Sequence, residues 1–373
     1  MTLEKVKLGA VAKVLNGYAF KSEEYVDSGI RVIRITNVQK GRIQDDDPKF
    51  IDIHRSDEFA RFMLADSDIL ISLTGNVGRV GVIEESILPA ALNQRVGALK
   101  IESENVDPEY LFHVLNSDNF EQDAIKNSKG IAQLNLSSKW VEKYEIPLPP
   151  LFEQKRIAGI LDAADALRAK RREALARLDT LLQSTFLHLF GDPRNKGSKG
   201  QITTRPIKMG VLTKIRTGKL DANAADENGA YPFFTCAVNP LRINATAFDA
   251  KAVLVAGNGD LNVKYYEGKF NAYQRTYVIE SKDETILAPR FLHIFLDLYV
   301  NELRKKAIGG VIKYIKLPYL TQAIIELPAI NEQHRFAAIV ESVERQKTHM
   351  RAHLAELDAL FASLQSRAFS GTL

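Results

Sequence analysis

Cysteine and long hydrophobic runs are what this sequence has least of. The single cysteine among its 373 residues, Cys236, cannot form an internal disulfide, so a reducing compartment, the cytoplasm, is the expected location. No segment approaches the roughly 20 consecutive apolar residues of a membrane span. The first residues, Met-Thr-Leu-Glu-Lys, do not lead into the apolar core of a signal peptide. We therefore predict a protein without membrane association.

Motifs of catalysis are missing as well. No Gly-x-x-x-x-Gly-Lys-Ser/Thr segment offers a phosphate-binding loop, and the glycines near Gly75 and Gly257 lack the spacing of a dinucleotide fingerprint. His349 and His353 lie four residues apart without the glutamate or third ligand of a zinc site. Cys236 lies close behind Phe233 and Phe234 in the sequence, and these apolar neighbours favour a small buried side chain over a nucleophile. We predict no catalytic residue, metal or cofactor on this chain.

The charge of the chain is mildly basic. A net charge of +4 permits nucleic-acid binding without requiring it. One basic cluster contains no acidic residue and comprises Arg194, Lys196, Lys199, Arg205, Lys208, Lys214, Arg216 and Lys219. A second cluster comprises Arg304, Lys305, Lys306, Lys313 and Lys316. A solvated loop surface explains each cluster as well as a nucleic-acid interface does.

The most extended regular pattern is helical and lies between Pro150 and Phe190. Arginine and alanine favour helix there, and no glycine or proline follows Gly159. Apolar or small residues recur with the spacing of a coiled-coil seam at Ile157, Ile160, Ala164, Leu167, Ala174, Leu178 and Leu181. We predict a spacer helix of roughly 55–60 Å over residues 151–191.

A second copy of this helix ends the sequence. Glu332-Gln-His-Arg matches Glu153-Gln-Lys-Arg at an offset of 179 residues, and each follows a Leu-Pro pair. The matched seam positions are Phe336, Ile339, Val343, Met350, Leu357 and Leu360. The second helix, residues 329–373, is predicted to pair with the first as an intramolecular coiled coil. Packing of each helix on its own domain is the alternative.

The rest of the chain repeats too. The matched segments are Lys7–Gly17 with Lys208–Gly218, Asp68–Gly78 with Lys251–Asp260, Asn93–Arg95 with Tyr273–Arg275, Pro108–Leu115 with Pro289–Leu296, and Gly130–Leu134 with Gly310–Tyr314. The offset falls from 201 to about 180 after the first match, so the first half carries about twenty extra residues. Segments 18–66 and 219–249 differ, as in a duplicated scaffold with two recognition surfaces. We predict one domain over residues 1–150 and another over 192–328.

At this point the sequence resembles a known family. Gly17–Ser22 (Gly-Tyr-Ala-Phe-Lys-Ser) followed by Arg31–Arg34 looks like part of a target-recognition domain, and so does Tyr231–Ala237 (Tyr-Pro-Phe-Phe-Thr-Cys-Ala). A Leu-Pro pair and a Glu-Gln-x-Arg helix follow each domain. The order domain, helix, domain, helix resembles the DNA-specificity subunit of type I restriction–modification systems.

The resemblance implies an α+β fold with two mixed α/β target-recognition domains, separated by two long antiparallel coiled-coil helices in a pseudo-twofold repeat. It implies binding of double-stranded DNA, with each domain reading one half of a bipartite, asymmetric site and the helices setting the gap. The implied partners are two methyltransferase (modification) subunits and restriction subunits, which would carry S-adenosylmethionine and ATP. The chain itself would be a non-catalytic subunit without a cofactor.

DNA contact is the chemistry that remains for the side chains. Base reading uses bidentate groups, arginine for guanine and asparagine or glutamine for adenine. Suitable residues in turns of the first half are Thr74, Asn76, Arg79, Asn93, Gln94 and Arg95. Those of the second half are Asn258, Asn262, Gln274, Arg275 and Lys313. Because both halves carry Gln-Arg, we interpret this pair as a scaffold or phosphate contact.

Base readers are expected in the divergent segments instead. The candidates there are Arg34, Asn37, Gln39 and Arg42 in the first half, and Lys219, Asp221 and Asn223 in the second. Two other classes of function stay open: a scaffold that binds only protein, and an enzyme with an unrecognised site. Salt-sensitive retention on DNA would exclude the first, and turnover by the purified chain would favour the second.

Overall fold

The structure, a computed structural model, describes residues 4–130, 133–195 and 197–373. Ile131 and Ala132 of the repeated glycine segment, and Lys196 of the first basic cluster, lie outside the described residues. Within the described part of the chain, no helix is both long and apolar enough to cross a bilayer.

The chain divides into two compact units. Unit 1 comprises Met1–Lys170 and Leu354–Leu373, and unit 2 comprises Arg171–His353. The division passes through both long helices, so each unit holds part of the first helix and part of the second. The sequence had predicted each helix as a segment of its own.

Unit 1 is built from short strands and three short α-helices. Its strands are β1 (Lys5–Lys7), β2 (Ala12–Asn16), β3 (Ile30–Ile33), β4 (Val38–Gln39), β5 (Arg42–Ile43), β6 (Phe50–Ile51), β7 (Ile69–Ser72), β8 (Val80–Val82), β9 (Ala90–Leu92), β10 (Val96–Ile101) and β11 (Glu145–Pro147). Its helices are α1 (Pro108–Leu115), α2 (Asp118–Asn127), α3 (Ser138–Lys143), the first part of α4 (Leu151–Phe190) and the last part of α8 (Ile330–Ser370). A 3₁₀ helix covers Ile53–Phe62.

The central strand of unit 1 is β7, whose apolar sequence Ile-Leu-Ile is buried on both faces. It belongs to an antiparallel sheet of order β2-β10-β7-β8, and a second sheet has the order β6-β3-β9. Ile69 and Ile71 pack in one core with Tyr110 of α1, while Leu70 points the other way and packs with Leu92. The two-residue period of a strand thus places β7 between the helices and the second sheet.

Unit 2 repeats this plan with longer elements. Its strands are β12 (Thr204–Lys208), β13 (Thr213–Thr217), β14 (Tyr231–Phe234), β15 (Leu241–Ile243), β16 (Phe248–Ala256), β17 (Val263–Ala272), β18 (Thr276–Ser281) and β19 (Ile324–Pro328). Its helices are the rest of α4, α5 (Met209–Leu212), α6 (Pro289–Lys306), α7 (Leu317–Thr321) and the first part of α8 (Ile330–Ser370).

One six-stranded sheet organises unit 2, in the order β13-β18-β16-β17-β14-β15. Strand β14 pairs in parallel with the end of β17, as β3 pairs in parallel with β9 in unit 1. Strand β17 therefore takes the places of both β8 and β9. The predicted internal repeat is confirmed, and the extra residues of the first half form the β4–β5 hairpin and the 3₁₀ helix.

The two long helices run antiparallel inside each unit. In unit 1, Arg156 near the start of α4 donates to the carbonyl of Leu373 (3.2 Å), and Arg168 contacts Asp358 (2.6 Å). In unit 2, Lys347 of α8 contacts Asp179 of α4 at 2.7 Å. As the residue number rises on one helix, it falls on its neighbour. The predicted pairing of the helices is confirmed.

The predicted register of the seam is partly wrong. Leu167, Leu181, Ile339 and Leu360, assigned to the seam, are 54%, 48%, 40% and 51% exposed. The buried positions of α4 include Gln154, Ile157, Leu161, Ala164, Leu182 and Phe186, and those of α8 include Gln333, Phe336, Val340, Val343, Lys347 and Phe361. A count of apolar residues alone missed this register because the structure places polar and charged side chains in the seam.

Candidate nucleic-acid interface

The Gln-Arg motif of unit 1 forms the turn between β9 and β10. The Gln94 N–H donates to the Tyr18 carbonyl (2.8 Å), and the Leu73 N–H donates to the Arg95 carbonyl (3.0 Å). The main chain of the turn thus joins the segment after β2 to the end of β7. The side chains of Gln94 and Arg95 are exposed, and neither has a hydrogen bond or ion pair with the residues that the structure describes.

Unit 2 builds the same turn between β17 and β18. The Gln274 N–H donates to the Leu220 carbonyl (2.9 Å), and the Gly257 N–H donates to the Arg275 carbonyl (2.7 Å). The Gln274 amide reaches Asp221 at 3.2 Å. The Arg275 guanidinium is exposed and has no partner in the described ranges. Equivalent main-chain bonds thus fix both turns in the same way, and each unit turns an arginine toward solvent.

A glycine permits the close approach behind each turn. A Cβ atom on Gly17 would lie 2.3 Å from the Leu92 carbonyl oxygen, and one on Gly218 would lie 1.7 Å from that of the equivalent Ala272. Any larger residue would displace the turn. The match of Gly17 with Gly218 in the sequence therefore reflects one backbone contact made twice.

The repeated glycine segment forms a loop with a closed stem beside the turn. In unit 2, Ile308 and Tyr314 exchange both main-chain hydrogen bonds (3.0 and 2.8 Å). In unit 1, Lys129 and Asn135 do the same (2.9 and 2.8 Å). Each stem is joined to the end of a central strand, because Gly259 donates to the carbonyl of Lys313 as Gly75 donates to that of Leu134.

These stems shift the sequence match by one residue. Gly130 corresponds to Gly309 and not to Gly310, since both have positive φ values (+121° and +118°) at the same place in the loop. The sequence offers two adjacent glycines, and only the backbone conformation shows which one needs to be glycine.

A groove of about 330 Å³ opens beside the turn of unit 2. Its lining residues are Thr217, Gly257, Gln274, Arg275, Tyr277, Tyr314, Ile315, Lys316 and Leu317. Arg275 and Lys316 bring two positive charges to it, and burial raises the pKa of Tyr277. Two cations and an uncharged phenol suit a phosphate group in this groove.

Three predicted contacts are used inside the protein. Asn37 and Thr74 are 3% and 7% exposed, and Asn262 is half-buried. The Asn37 amide donates to the Gln44 carbonyl (3.0 Å), and the Thr74 hydroxyl donates to Asn135 (3.0 Å). Asn262 donates to two main-chain carbonyls. These side chains hold loops in place, so we do not retain them as candidate contacts to DNA.

Three predicted arginines of unit 1 are also occupied by other side chains. Arg34 contacts Asp47 at 3.5 Å, and Arg79 donates to Gln39 at 2.7 Å. Arg42 is exposed and donates to a glutamine two residues further along the chain (3.0 Å). Arg34 and Arg79 would have to leave these partners to reach a base.

Asn93 and Asn258 shape the turns. The Asn93 side chain accepts from the Arg95 N–H (3.5 Å), and that of Asn258 accepts from the Cys236 thiol (2.8 Å). Cys236 is half-buried, whereas the sequence favoured burial. Burial lowers the pKa of the neighbouring Lys264, against the opposing effect of Cys236.

Four other candidates face solvent. Asn76, Lys219, Asn223 and Lys313 are exposed. Lys219 directly precedes the residue that holds the turn of unit 2, and Lys313 lies in the loop stem. Together with Gln274 and Arg275, these lysines make unit 2 the better-defined candidate interface.

Sequence reasoning missed two residues beside the turns. Lys316 lines the groove of unit 2, although the sequence placed it only in a basic cluster. Tyr18 is 38% exposed and its ring contacts Phe20 and Phe59 at 5.0 Å each and Phe62 at 5.6 Å. Its position directly after Gly17 was the available signal.

Comparison with known families gives one match over most of the chain. The family model described as type I restriction modification DNA specificity domain matches residues 2–177 and 206–359. Among curated relatives, the EcoDI specificity subunit of Escherichia coli is 42% identical over 153 residues, which is 41% of this chain and 34% of the relative. The MjaVIII specificity subunit of Methanocaldococcus jannaschii is 31% identical over 175 residues, 46% and 41% of the two chains. The matched region thus spans less than half of these two relatives.

A longer and weaker match extends over nearly the whole chain. The EcoBI specificity subunit of Escherichia coli is 24% identical over 427 aligned positions, covering 99% of this chain and 86% of the relative. The solved S subunit from M. genitalium has a TM-score of 0.57 at 16% identity and covers 99% and 96% of the two chains. A chain from a structural study of type I R-M complex assembly gives 0.54 at 19% identity, with 100% and 98% covered. At these identities the likeness concerns the fold.

Proposed function

Because the chain belongs to the family of type I restriction–modification DNA specificity domains, we propose that it is the sequence-specific DNA-binding subunit of a type I restriction–modification complex. The observation that carries the proposal is the pair of equivalent turns, 93–95 and 273–275. Each turn is fixed through its main chain and presents an exposed arginine beside segments that differ between the units. A shared contact to phosphate next to variable contacts to bases is what two half-site readers need.

Each unit reads one half of a bipartite and asymmetric site. The difference between the surfaces beside the two turns supports this reading. Unit 1 places Tyr18 and an aromatic cluster next to its turn, whereas unit 2 places Lys219 and Asp221 there. An aromatic ring favours contact with apolar base edges, and a lysine favours base oxygens and nitrogens or phosphate.

The two long helices dock methyltransferase subunits and set the gap between the half-sites. Exposed apolar side chains on both long helices support the docking. Leu167 and Leu360 of unit 1 are 54% and 51% exposed, and Leu181 and Ile339 of unit 2 are 48% and 40% exposed. Large apolar side chains left exposed on a helix suit a partner protein that covers them.

The chain itself contributes binding and no chemistry. S-adenosylmethionine then belongs to the modification subunits, and ATP to the restriction subunits that complete the nuclease. The purified chain should therefore neither methylate nor cut DNA in the presence of these cofactors. Methyl transfer by the chain alone would contradict this assignment.

The proposal is tested by mapping methylated bases in a host that expresses the chain with its modification subunit. We expect one new bipartite, asymmetric motif that contains methylated adenine. The matched control replaces both exposed arginines, Arg95→Ala and Arg275→Ala, and should weaken methylation of the same motif. A complex that assembles but neither methylates DNA nor retains it at low salt would leave the alternative, a scaffold that binds only protein.

A further inference from the structure

The loop between α6 and α7 exposes two adjacent apolar side chains. Val311 is 103% exposed, as much as in an extended reference peptide, and Ile312 is 61% exposed. Ile308 and Leu317 at the base of the same loop are each more than a third exposed. Isolated apolar residues on a surface need no explanation, but a group of them at a protruding tip does.

The tip is held in place and cannot fold back onto the protein without breaking its stem. Ile308 and Tyr314 close the stem with two main-chain hydrogen bonds. Gly309 adopts a φ of +118°, and a Cβ there would lie 2.5 Å from the Ile312 carbonyl oxygen. The Lys313 carbonyl accepts from the N–H of Gly259 at 2.9 Å. The loop therefore presents its apolar side chains in a defined position.

This loop is continuous with the candidate interface. The Ile315 N–H donates to the Gly257 carbonyl (2.9 Å), and the Gly257 N–H donates to the Arg275 carbonyl (2.7 Å). The Tyr277 hydroxyl also donates to the carbonyl of Ile315 (3.1 Å). Two main-chain hydrogen bonds in succession thus link the base of the apolar loop to Arg275. Tyr314 and Lys316 line the same groove as Arg275.

The charge around the tip favours a polyanion. No acidic residue occurs between Glu302 and Glu326. Lys313 and Lys316 are exposed and have no partner within the described part of the chain, whereas Arg304, Lys305 and Lys306 are already paired with neighbouring side chains. An apolar protein surface would gain little from two free lysines. Duplex DNA offers both phosphates for the lysines and stacked bases for the apolar tip.

The stem of this loop is also built in unit 1. Lys129 and Asn135 close its stem, and Gly130 has a φ of +121°. The residues that follow this glycine, Ile131 and Ala132, are apolar in the sequence and lie outside the described residues. With Gly130 matched to Gly309, the sequence of unit 1 has Ala132 and Gln133 where unit 2 has Val311 and Ile312, so the two units share the stem and the apolar pair belongs to unit 2.

We propose that Val311 and Ile312 form a wedge that enters the minor groove at a base step, while Lys313, Lys316 and Arg275 contact the flanking phosphates. The inference rests on the proposed function and adds that unit 2 unstacks and bends its half-site. Apolar side chains flanked by cations are the usual means by which proteins do this.

The test uses the full chain assembled with its modification subunits and a duplex that carries the mapped target. 2-Aminopurine is placed at successive steps of the half-site read by unit 2, and a donor and acceptor dye at the duplex ends report bending. The methylated adenine itself is left unlabelled, because a methyltransferase flips its target base, and with the wild-type chain fluorescence should rise at one other step. The variant Val311→Ser/Ile312→Ser should lose this rise and the bend and bind about tenfold more weakly, with an unchanged salt dependence.

Two matched variants separate the wedge from general binding. Val311→Ile/Ile312→Leu keeps the tip apolar and should keep both signals. Lys313→Ala/Lys316→Ala should keep the fluorescent step but lower the slope of log K against log salt by about 0.9 per lost phosphate contact.

Each contrary result has one meaning. If the serine variant keeps the fluorescent step and the bend, the wedge is wrong while the proposed function stands. If the serine variant loses the modification subunits but a wild-type complex shows no unstacked step, the loop docks protein and the wedge is wrong. If the wild-type complex binds no DNA at all, the proposed function fails and the wedge fails with it.

Discussion

Unit 1 and unit 2 share the same order of strands, but one long strand of unit 2 corresponds to two separate strands in unit 1. In unit 2 a single ten-residue strand, β17, pairs with β16 along its first part and with β14 at its end. In unit 1 the equivalent path is broken into β8 and β9, and the residues between them include a 3₁₀ helix, Glu85–Ile87. The break separates the second sheet from the first. The two units therefore keep the same Gln-Arg turn while the surface around the turn differs.

The helix–domain join, meaning the hydrogen bonds by which Gln154 or Gln333 attaches a long helix to its domain, is the same in both units. Gln154 is fully buried and its amide donates to two carbonyls (2.9 and 2.8 Å) and accepts from the N–H of Asp107 (2.9 Å). Gln333 makes the same three bonds in unit 2, accepting from the N–H of Ala288 at 2.8 Å. Recognition surfaces are free to change because the attachment of each domain to its helix is constant.

A change in the helices alone should have the largest effect. Adding one heptad to each helix near Ala174 and His353 keeps the seam and lengthens the pair by about 10 Å. At about 3.4 Å per base pair, the gap should grow by roughly three base pairs while both half-sites stay the same. Methylation mapping measures this. An unchanged gap at wild-type strength would show that the helices do not set the distance.

Loss of the helix–domain join should have the next largest effect. Gln333→Leu leaves one N–H and two carbonyls without their partner in a buried place, so we expect the stability of unit 2 to fall by about 3 kcal/mol. Gln154→Leu should cost unit 1 a similar amount. Hydrogen exchange read by mass spectrometry separates the two units. The exposed Gln274→Leu serves as the control and should change stability little.

Effects of unlike size would challenge the equivalence of the two joins. If Gln154→Leu costs unit 1 nothing, the three bonds of Gln154 are replaced by water or by a neighbouring group. The hydrogen bonds of Gln154 and Gln333 would then be alike in geometry but unequal in their contribution to stability.

The exposed arginines should have a smaller and more uniform effect. Arg275→Ala should lower the affinity of the assembled complex for DNA by about tenfold and reduce its salt dependence, with the choice of bases unchanged. Arg95→Ala should do the same through unit 1. Titration at several salt concentrations with target and mismatched duplexes measures both quantities. A relaxed preference at one base position would instead show that the arginine reads a base.

The repeat was predictable from the sequence because it leaves matched motifs at constant offsets. Gly17, the Gln-Arg pair and the Glu-Gln-x-Arg motif all proved to be equivalent in the two units. The sequence did not reveal that Asn37 and Thr74 are buried. A polar residue in a turn looks the same in the sequence whether its side chain faces solvent or bonds to its own loop. Side-chain type indicates what a residue can bind, and only the fold shows what it already binds.

The seam of the helices was mispredicted for a related reason. The side chains of Arg168 and Lys347 lie in the seam and are 18% and 9% exposed. A prediction that assigns only apolar residues to the seam excludes both positions. Their stems pack in the seam, and the Arg168 guanidinium lies 4.3 Å from the centre of the Phe361 ring. With these positions excluded, the apolar pattern shifts to Leu167 and Leu181, which face outward.

These two cations support the smallest predicted effect. Arg168 contacts Asp165 and Asp358 at 2.6 Å each, while Lys347 contacts Glu344 at 2.6 Å and Asp179 at 2.7 Å. Burial lowers the pKa of Lys347, but its two carboxylate partners outweigh burial and raise the pKa above the ordinary 10.5. The resulting stability is complete below the unfolded pKa of about 10.4 and is lost as pH rises through the folded pKa.

Lys347→Arg should remove this alkaline loss, because a guanidinium keeps its proton throughout the range. The variant also gives unit 2 the cation that unit 1 already has. Since Asp179 is 58% exposed on its side chain, the difference should be about 0.5 kcal/mol or less. Urea unfolding of both proteins at pH 8 and pH 11.5 measures it, with the tyrosines titrating equally in each. If both proteins lose the same stability between these pH values, deprotonation of Lys347 contributes nothing, and the lysine and arginine of the two seams are interchangeable in energy as well as in position.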